Sequence, residues 1–136
     1  MDMEISFSGG KKVNAEYKGF TIKTDQPPDY GGDGSAPEPF DLLWAAIGTC
    51  MGSNVVSFCQ QRKIPTENIR LIQRMKRNAD TKMVTQVDIE IQLPSDFPEK
   101  YRDAVVRAAE FCSVKKHLSQ PPVFSIITSD ASGESI

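Results

Sequence analysis

The sequence predicts an α+β fold in which helices cluster on one face of antiparallel sheet. Three observations predict it. Residues 40–61 form an apolar segment of helical length. Residues 68–77 and 84–93 alternate apolar and polar side chains with a period of two across a polar turn. The order along the chain is strands, long helix, two strands, helix, strand. At 136 residues the chain has room for one core and not for two ordinary ones, so residues 1–136 are read as a single domain.

Glu4 to Phe7, Val13 to Tyr17 and Phe20 to Lys23 read as short strands. Gly9-Gly10 and Lys18-Gly19 between them are hairpin punctuation. From Asp25 to Pro39 the prolines and glycines suit neither ladder, and they predict a binding loop or a plain connector. The glycines Gly31, Gly32 and Gly34 do not complete a dinucleotide fingerprint, because Pro37 stands where the third glycine would fall. Phe40 to about Gln61 is apolar nearly all the way round, through Leu42, Leu43, Trp44, Ile47, Met51, Val55, Val56 and Phe58, which predicts a buried central helix. Gly48 and Gly52 each cost about 1 kcal/mol against alanine in a helix interior. A close neighbour is therefore expected there.

Pro65 closes that element. The next two strands should pair as a hairpin centred near Asp80, with Arg70 near Glu90 and Arg74 near Gln86. The basic stripe Arg70, Arg74, Lys76 and Arg77 then faces an acidic strand, so it reads as a solvated sheet face and not a nucleic-acid surface. Glu99 to Cys112 returns to helical spacing after Pro98, and Val123 to Thr128 reads as a last strand.

Sixteen basic against eighteen acidic residues give no electrostatic reason for a nucleic acid or an anionic membrane as partner. The start lacks a basic segment followed by an apolar core, so a cytoplasmic location is expected. Asp41, Thr49, Ser53 and Asn54 interrupt the most apolar stretch, leaving it short of the roughly 20 residues a spanning helix needs. Three widely spaced cysteines and one histidine make neither a stapled mini-protein nor a four-ligand zinc site, and no metal or cofactor is expected.

The thiols carry the functional signal. Cys59 follows Cys50 by nine positions, on the opposite side of the same helix and about 13 Å along it, so the two cannot be bridged within one chain. Cys59 reads as core filling. Within the monomer this leaves only Cys112, on a separate element, able to meet Cys50. Cys112 precedes Lys115, Lys116 and His117, cations that favour a thiolate. Its expected place at a helix end opposes an anion. For Cys112 a redox role and simple burial both stay open. A reactive Cys50 needs a basic or hydrogen-bonding neighbour from elsewhere in the fold.

The run Pro39-Phe40-Asp41-Leu42-Leu43-Trp44-Ala45-Ala46-Ile47-Gly48-Thr49-Cys50 resembles the Pro-x-acidic-Leu-Leu segment leading to the first cysteine of the OsmC/Ohr family, the osmotically inducible and organic hydroperoxide resistance proteins. Cys112-Ser113-Val114-Lys115-Lys116 resembles that family's Cys-Pro-Val-Ser-Lys segment, with serine in place of proline. The resemblance implies a long central helix on curled antiparallel sheet and an intertwined homodimer. It implies that Cys50 is the peroxidatic thiolate for an organic hydroperoxide and Cys112 the resolving thiol, with an external dithiol as reductant. Phe40, Asp41, Leu43, Trp44 and Ile47 would lie at the substrate pocket.

Two departures stand out. Ohr-type members carry an arginine in the N-terminal strand region, and this chain has none before Arg62, leaving Lys11, Lys12, Lys18 or Lys23 as substitutes. Phe40 stands ten positions before Cys50, where Ohr-type members place a glutamate. The family resemblance thus leaves two functions, a thiol-dependent hydroperoxide reductase in oxidative stress defence, or a non-catalytic dimeric protein for a small apolar ligand.

Overall fold

The computed structural model describes residues 1–131. β1 (Glu4–Phe7), β2 (Val13–Tyr17) and β3 (Phe20–Thr24) form an antiparallel sheet in that order. Lys18 and Gly19, at φ 52° and 79°, turn β2 directly into β3, with Tyr17 opposite Phe20. Both central residues of this two-residue turn need positive φ, as the twist of a tight hairpin requires.

The loop that follows is built around one carboxylate. Asp25 is fully buried, and it accepts hydrogen bonds from the N–H groups of Gln26 (2.7 Å), Asp33 (3.3 Å) and Ser35 (3.0 Å) and from the Ser35 hydroxyl (2.6 Å). The Ser35 hydroxyl, followed by the Ser35 backbone N–H, holds the Asp25 carboxyl down at about 2. A side chain at Gly32 would place its Cβ 1.9 Å from the Gln26 carbonyl oxygen, so only glycine lets the loop close over Asp25. Composition alone marked this stretch as irregular. The buried acid is what gives it one shape.

α1 (Pro39–Gln61) begins with a capping box, the Glu38 carboxylate accepting the Asp41 N–H and the Asp41 carboxylate accepting the Glu38 N–H at 3.2 Å, with proline in the first turn. At 23 residues α1 exceeds the expected apolar stretch, and by length and composition alone it is long and apolar enough to cross a membrane. Within this fold its apolar side makes the core. Ile47, Met51, Val55, Phe58 and Cys59 are buried there with Phe97, Val105, Ala109 and Cys112. The expectation of burial all round does not hold within one chain, since Val56, Thr49 and Ser53 stay exposed on the other side.

β4 (Arg70–Arg77) and β5 (Val84–Gln92) pair antiparallel, and Leu71, Ile89 and Ile91 press on the core. The register differs from expectation by two residues, with Arg70 opposite Gln92 and Arg74 opposite Asp88. The cause is the turn. Asn78 Oδ1 accepts from the N–H groups of Asp80 and Thr81, at 2.9 Å each, and Lys82 takes φ 62°, which centres the hairpin one residue later than Asp80. Neutralisation survives on the diagonal, as Arg74 Nη1 meets Glu90 Oε2 at 2.7 Å. The expected close neighbour of Gly48 is Gln73, whose Oε1 would lie 2.5 Å from an added Cβ, whereas Gly52 has open space.

The expected helix over 99–112 is broken. A 3-10 turn, Glu99–Tyr101, leads into α2 (Arg102–Glu110), and α3 (Ser113–Ser119) starts anew after Cys112. Val123 to Thr128, expected as a strand, forms no ladder among the described residues. Val123, Phe124, Ile126 and Ile127 project into solvent.

Candidate active site

Cys50 lies midway along α1, and Cys112 occupies the N-cap of α3, which packs on α1. The break that puts Cys112 there is a single-residue turn. Phe111, at φ −75° and ψ 58°, lets the Cys112 N–H donate to the Glu110 carbonyl at 2.8 Å, the geometry of an inverse γ-turn. Cys112 then turns extended, and its Sγ accepts the Lys115 N–H at 3.3 Å as the cap of α3. This corrects the sequence reading of Cys112. It sits at the start of a helix and not at the end, so the free N–H groups of the first turn of α3 lie on its side.

The same turn serves Cys50. Its Sγ lies 3.8 Å from the Ser113 hydroxyl. The Val114 backbone N–H, above all, pulls the Cys50 thiol below its ordinary range. The Cys112 side chain and both donors of Ser113 act in the same direction, against a partial desolvation that opposes them. Cys112 is 4% exposed, its Sγ 4.0 Å from the Ile47 carbonyl oxygen, while Cys50 is partly open to solvent. All three thiols are free. Cys59 is fully buried, and desolvation raises its thiol.

The pocket residues named from sequence scatter. Asp41 is spent on the α1 cap and Ile47 on the core. Phe40 and Trp44 meet edge to face at 5.2 Å, with the Arg77 guanidinium 6.0 Å from the Phe40 ring, and Leu43 is half-buried. The lysines proposed to hold the thiolate are engaged elsewhere or lie on the β1–β3 hairpins. Lys12 pairs with Asp33, and Lys18 lies over the Tyr17 ring. Periodicity missed Ser113 and the Val114 N–H because the apolar pattern runs on through Phe111. The signal was the family's proline at the position of Ser113. Proline favours the first position of a helix, which makes the preceding cysteine the cap.

These donors predict a pH profile. Alkylation of Cys50 requires the thiolate, so its rate rises with pH and levels off once the group is ionised. The midpoint should fall below that of a free thiol, and Ser113→Ala should move it back up. Iodoacetamide kinetics with peptide mapping read both, and a wild-type midpoint at or above the free-thiol value would refute the assignment. Cys59 should label only after unfolding.

An α+β frame with two free thiols brought into one site from distant parts of the sequence is the class of protein these features define. The OsmC-like protein family model matches residues 32–127. The chain belongs to the OsmC-like protein family. Its fold is similar to that of a Psychrobacter arcticus 273-4 protein assigned to osmotic stress induction and the detoxification response (TM-score 0.71, 24% identity, 84% of this chain and 85% of that one). It is also similar to an OsmC-like protein of Mycoplasma pneumoniae (TM-score 0.68, 12% identity, 88% and 87%). A third similar structure is an organic hydroperoxide resistance protein OsmC of Legionella pneumophila (TM-score 0.54, 18% identity, 87% and 89%). No curated protein sequence matches the chain.

Proposed function

We propose that the protein reduces organic hydroperoxides with the Cys50 and Cys112 thiols, in defence against oxidative stress. The observation that carries this reading is the placement of a partly exposed Cys50, its thiol lowered by the α3 turn, beside a buried Cys112. The Cys50 thiolate attacks the outer oxygen of the peroxide. The O–O bond breaks, the alkoxide takes a proton and leaves as alcohol, and Cys50 becomes a sulfenic acid. The Cys112 thiolate attacks Cys50 Sγ, hydroxide leaves as water, and a disulfide forms. An external dithiol restores both thiols by exchange and is itself oxidised. Membership of the OsmC-like family supports this reading, as does the likeness in fold to a hydroperoxide resistance protein. The test is turnover of cumene or tert-butyl hydroperoxide with a dithiol. No turnover with any reductant would sink it.

One observation favours the second reading, a binder of a small apolar ligand. Between α1 and β4 lies a groove of about 590 Å³ lined by Gly52, Val56, Ile69 and Leu71, a volume suited to a small molecule. Native mass spectrometry of fresh protein separates the two. A co-purifying lipid-like ligand without peroxide turnover would replace the peroxidase reading.

The reading includes a homodimer. Phe7 and Phe20 on the β1–β3 sheet are 84% and 71% exposed, and the apolar 123–127 segment is likewise uncovered in one chain. Sedimentation should give twice the 15.1 kDa chain mass, and a monomer at micromolar concentration would contradict this.

A further inference from the structure

We infer that Asn54 is a positioning residue that docks the Cys112 turn onto the helix bearing Cys50. The inference rests on the reading of Cys50 and Cys112 as a reacting pair, and it concerns how the second thiol is brought to the first.

Asn54 is four residues after Cys50, so the two side chains lie on the same face of α1, one turn apart. Its Nδ2 donates to the Phe111 carbonyl oxygen at 2.5 Å, across 57 residues of sequence. That carbonyl belongs to the central residue of the γ-turn that ends α2 and starts α3. Phe111 itself cannot anchor the turn, because its ring is 83% exposed. The far side of the turn is secured within α3, where His117 Nδ1 donates to the Ser113 carbonyl at 2.6 Å. The Asn54 amide is thus a polar bond from the helix of Cys50 to the junction itself. An asparagine in a helix interior is otherwise a poor choice by propensity. Here its short amide reaches a carbonyl that α2 leaves without a helical partner.

The consequence is geometric. Disulfide formation needs the two Cα atoms within roughly 4.4 to 6.8 Å, and a displacement of about 1 Å slows an intramolecular attack by up to about a hundredfold. Release of the Phe111 carbonyl frees the turn to shift along α1, so an ionised Cys50 still attacks while Cys112 arrives late.

An aromatic disulfide, dithiobis(nitrobenzoate), tests this independently of peroxide activity. The Cys50 thiolate attacks it, breaking the reagent's S–S bond and releasing one thionitrobenzoate anion. The Cys112 thiolate then attacks Cys50 Sγ and expels the second anion, leaving the Cys50–Cys112 disulfide. At an alkaline pH, where Cys50 is ionised with or without the α3 donors, Asn54→Asp, isosteric but without the donor, and Asn54→Ala should keep the first release near the wild-type rate. Both should slow the second by about tenfold or more. With a hydroperoxide the same variants should accumulate sulfenic acid, trapped by dimedone, where the wild type closes its disulfide. A second release within about twofold of wild type in folded variants overturns the proposal. So does loss of the fold in both variants, since Asn54 would then be structural. A wild type that completes both releases yet turns over no hydroperoxide leaves Asn54's role intact and defeats only the peroxidase reading. A wild type without a second release defeats the pair itself and this inference with it.

Discussion

Cys50→Ser should abolish hydroperoxide turnover, lowering it by about a thousandfold or more, because the serine hydroxyl is not ionised at neutral pH and cannot replace the thiolate as nucleophile. Cys112→Ser should behave differently. With the attacking sulfur intact, the variant should consume one equivalent of peroxide and stop at a sulfenic acid unless an external thiol resolves it. The asymmetry follows from exposure, since Cys50 is open to a substrate while Cys112 is 4% exposed and faces inward. Rapid-quench assays of cumene hydroperoxide, with dimedone trapping and mass mapping of the oxidised sulfur, read both outcomes. A Cys50→Ser variant that retains turnover, or sulfenic acid found first on Cys112, would reverse the assigned roles.

The second large effect concerns the frame. Phe58→Ala should cost about 3–5 kcal/mol, the range for emptying an aromatic site in a packed core. Phe58 is 8% exposed and meets the Tyr101 ring edge to face at 5.8 Å. The Arg62 guanidinium lies 3.6 Å from its centroid, while Arg62 Nη1 donates to the Phe58 carbonyl at 3.0 Å. Removing the ring therefore empties core volume and unseats the cation that closes the C-terminal end of α1. Against a usual domain stability of about 5–15 kcal/mol, this is a large share, and the melting temperature should fall by on the order of 10 °C or more. Thermal unfolding by circular dichroism measures it. A shift of about 2 °C or less would mean that α2 and α3 carry the core without this contact.

Much of this frame is legible in the sequence because it rests on local physics. Alternation over β4 and β5 follows from the pleat, and the length of α1 from its composition and the Glu38, Pro39 and Asp41 start. Geometry along one helix also rules out a bond between Cys50 and Cys59, and the usual burial of a free cysteine assigns Cys59 to the core, where it is fully buried. The places where the pattern misleads are those where a single side chain overrides it. Asn78 moves the hairpin centre and with it the register. Asp25 gathers a proline- and glycine-rich stretch into one loop. The turn at Phe111 interrupts a run whose apolar spacing continues unbroken.

Periodicity, turn chemistry and helix geometry act over a few residues, and they suffice to specify an α+β chain with a central apolar helix and two thiols worth attention. What lowers the Cys50 thiol lies beyond that range. No lysine of the N-terminal strands takes the place of the absent arginine. The donors are the Val114 and Ser113 N–H groups and the Ser113 hydroxyl, together with the Cys112 thiol, more than sixty residues away in the chain. Their convergence on one sulfur depends on where α2 stops, and that depends on a turn tied across the fold to Asn54.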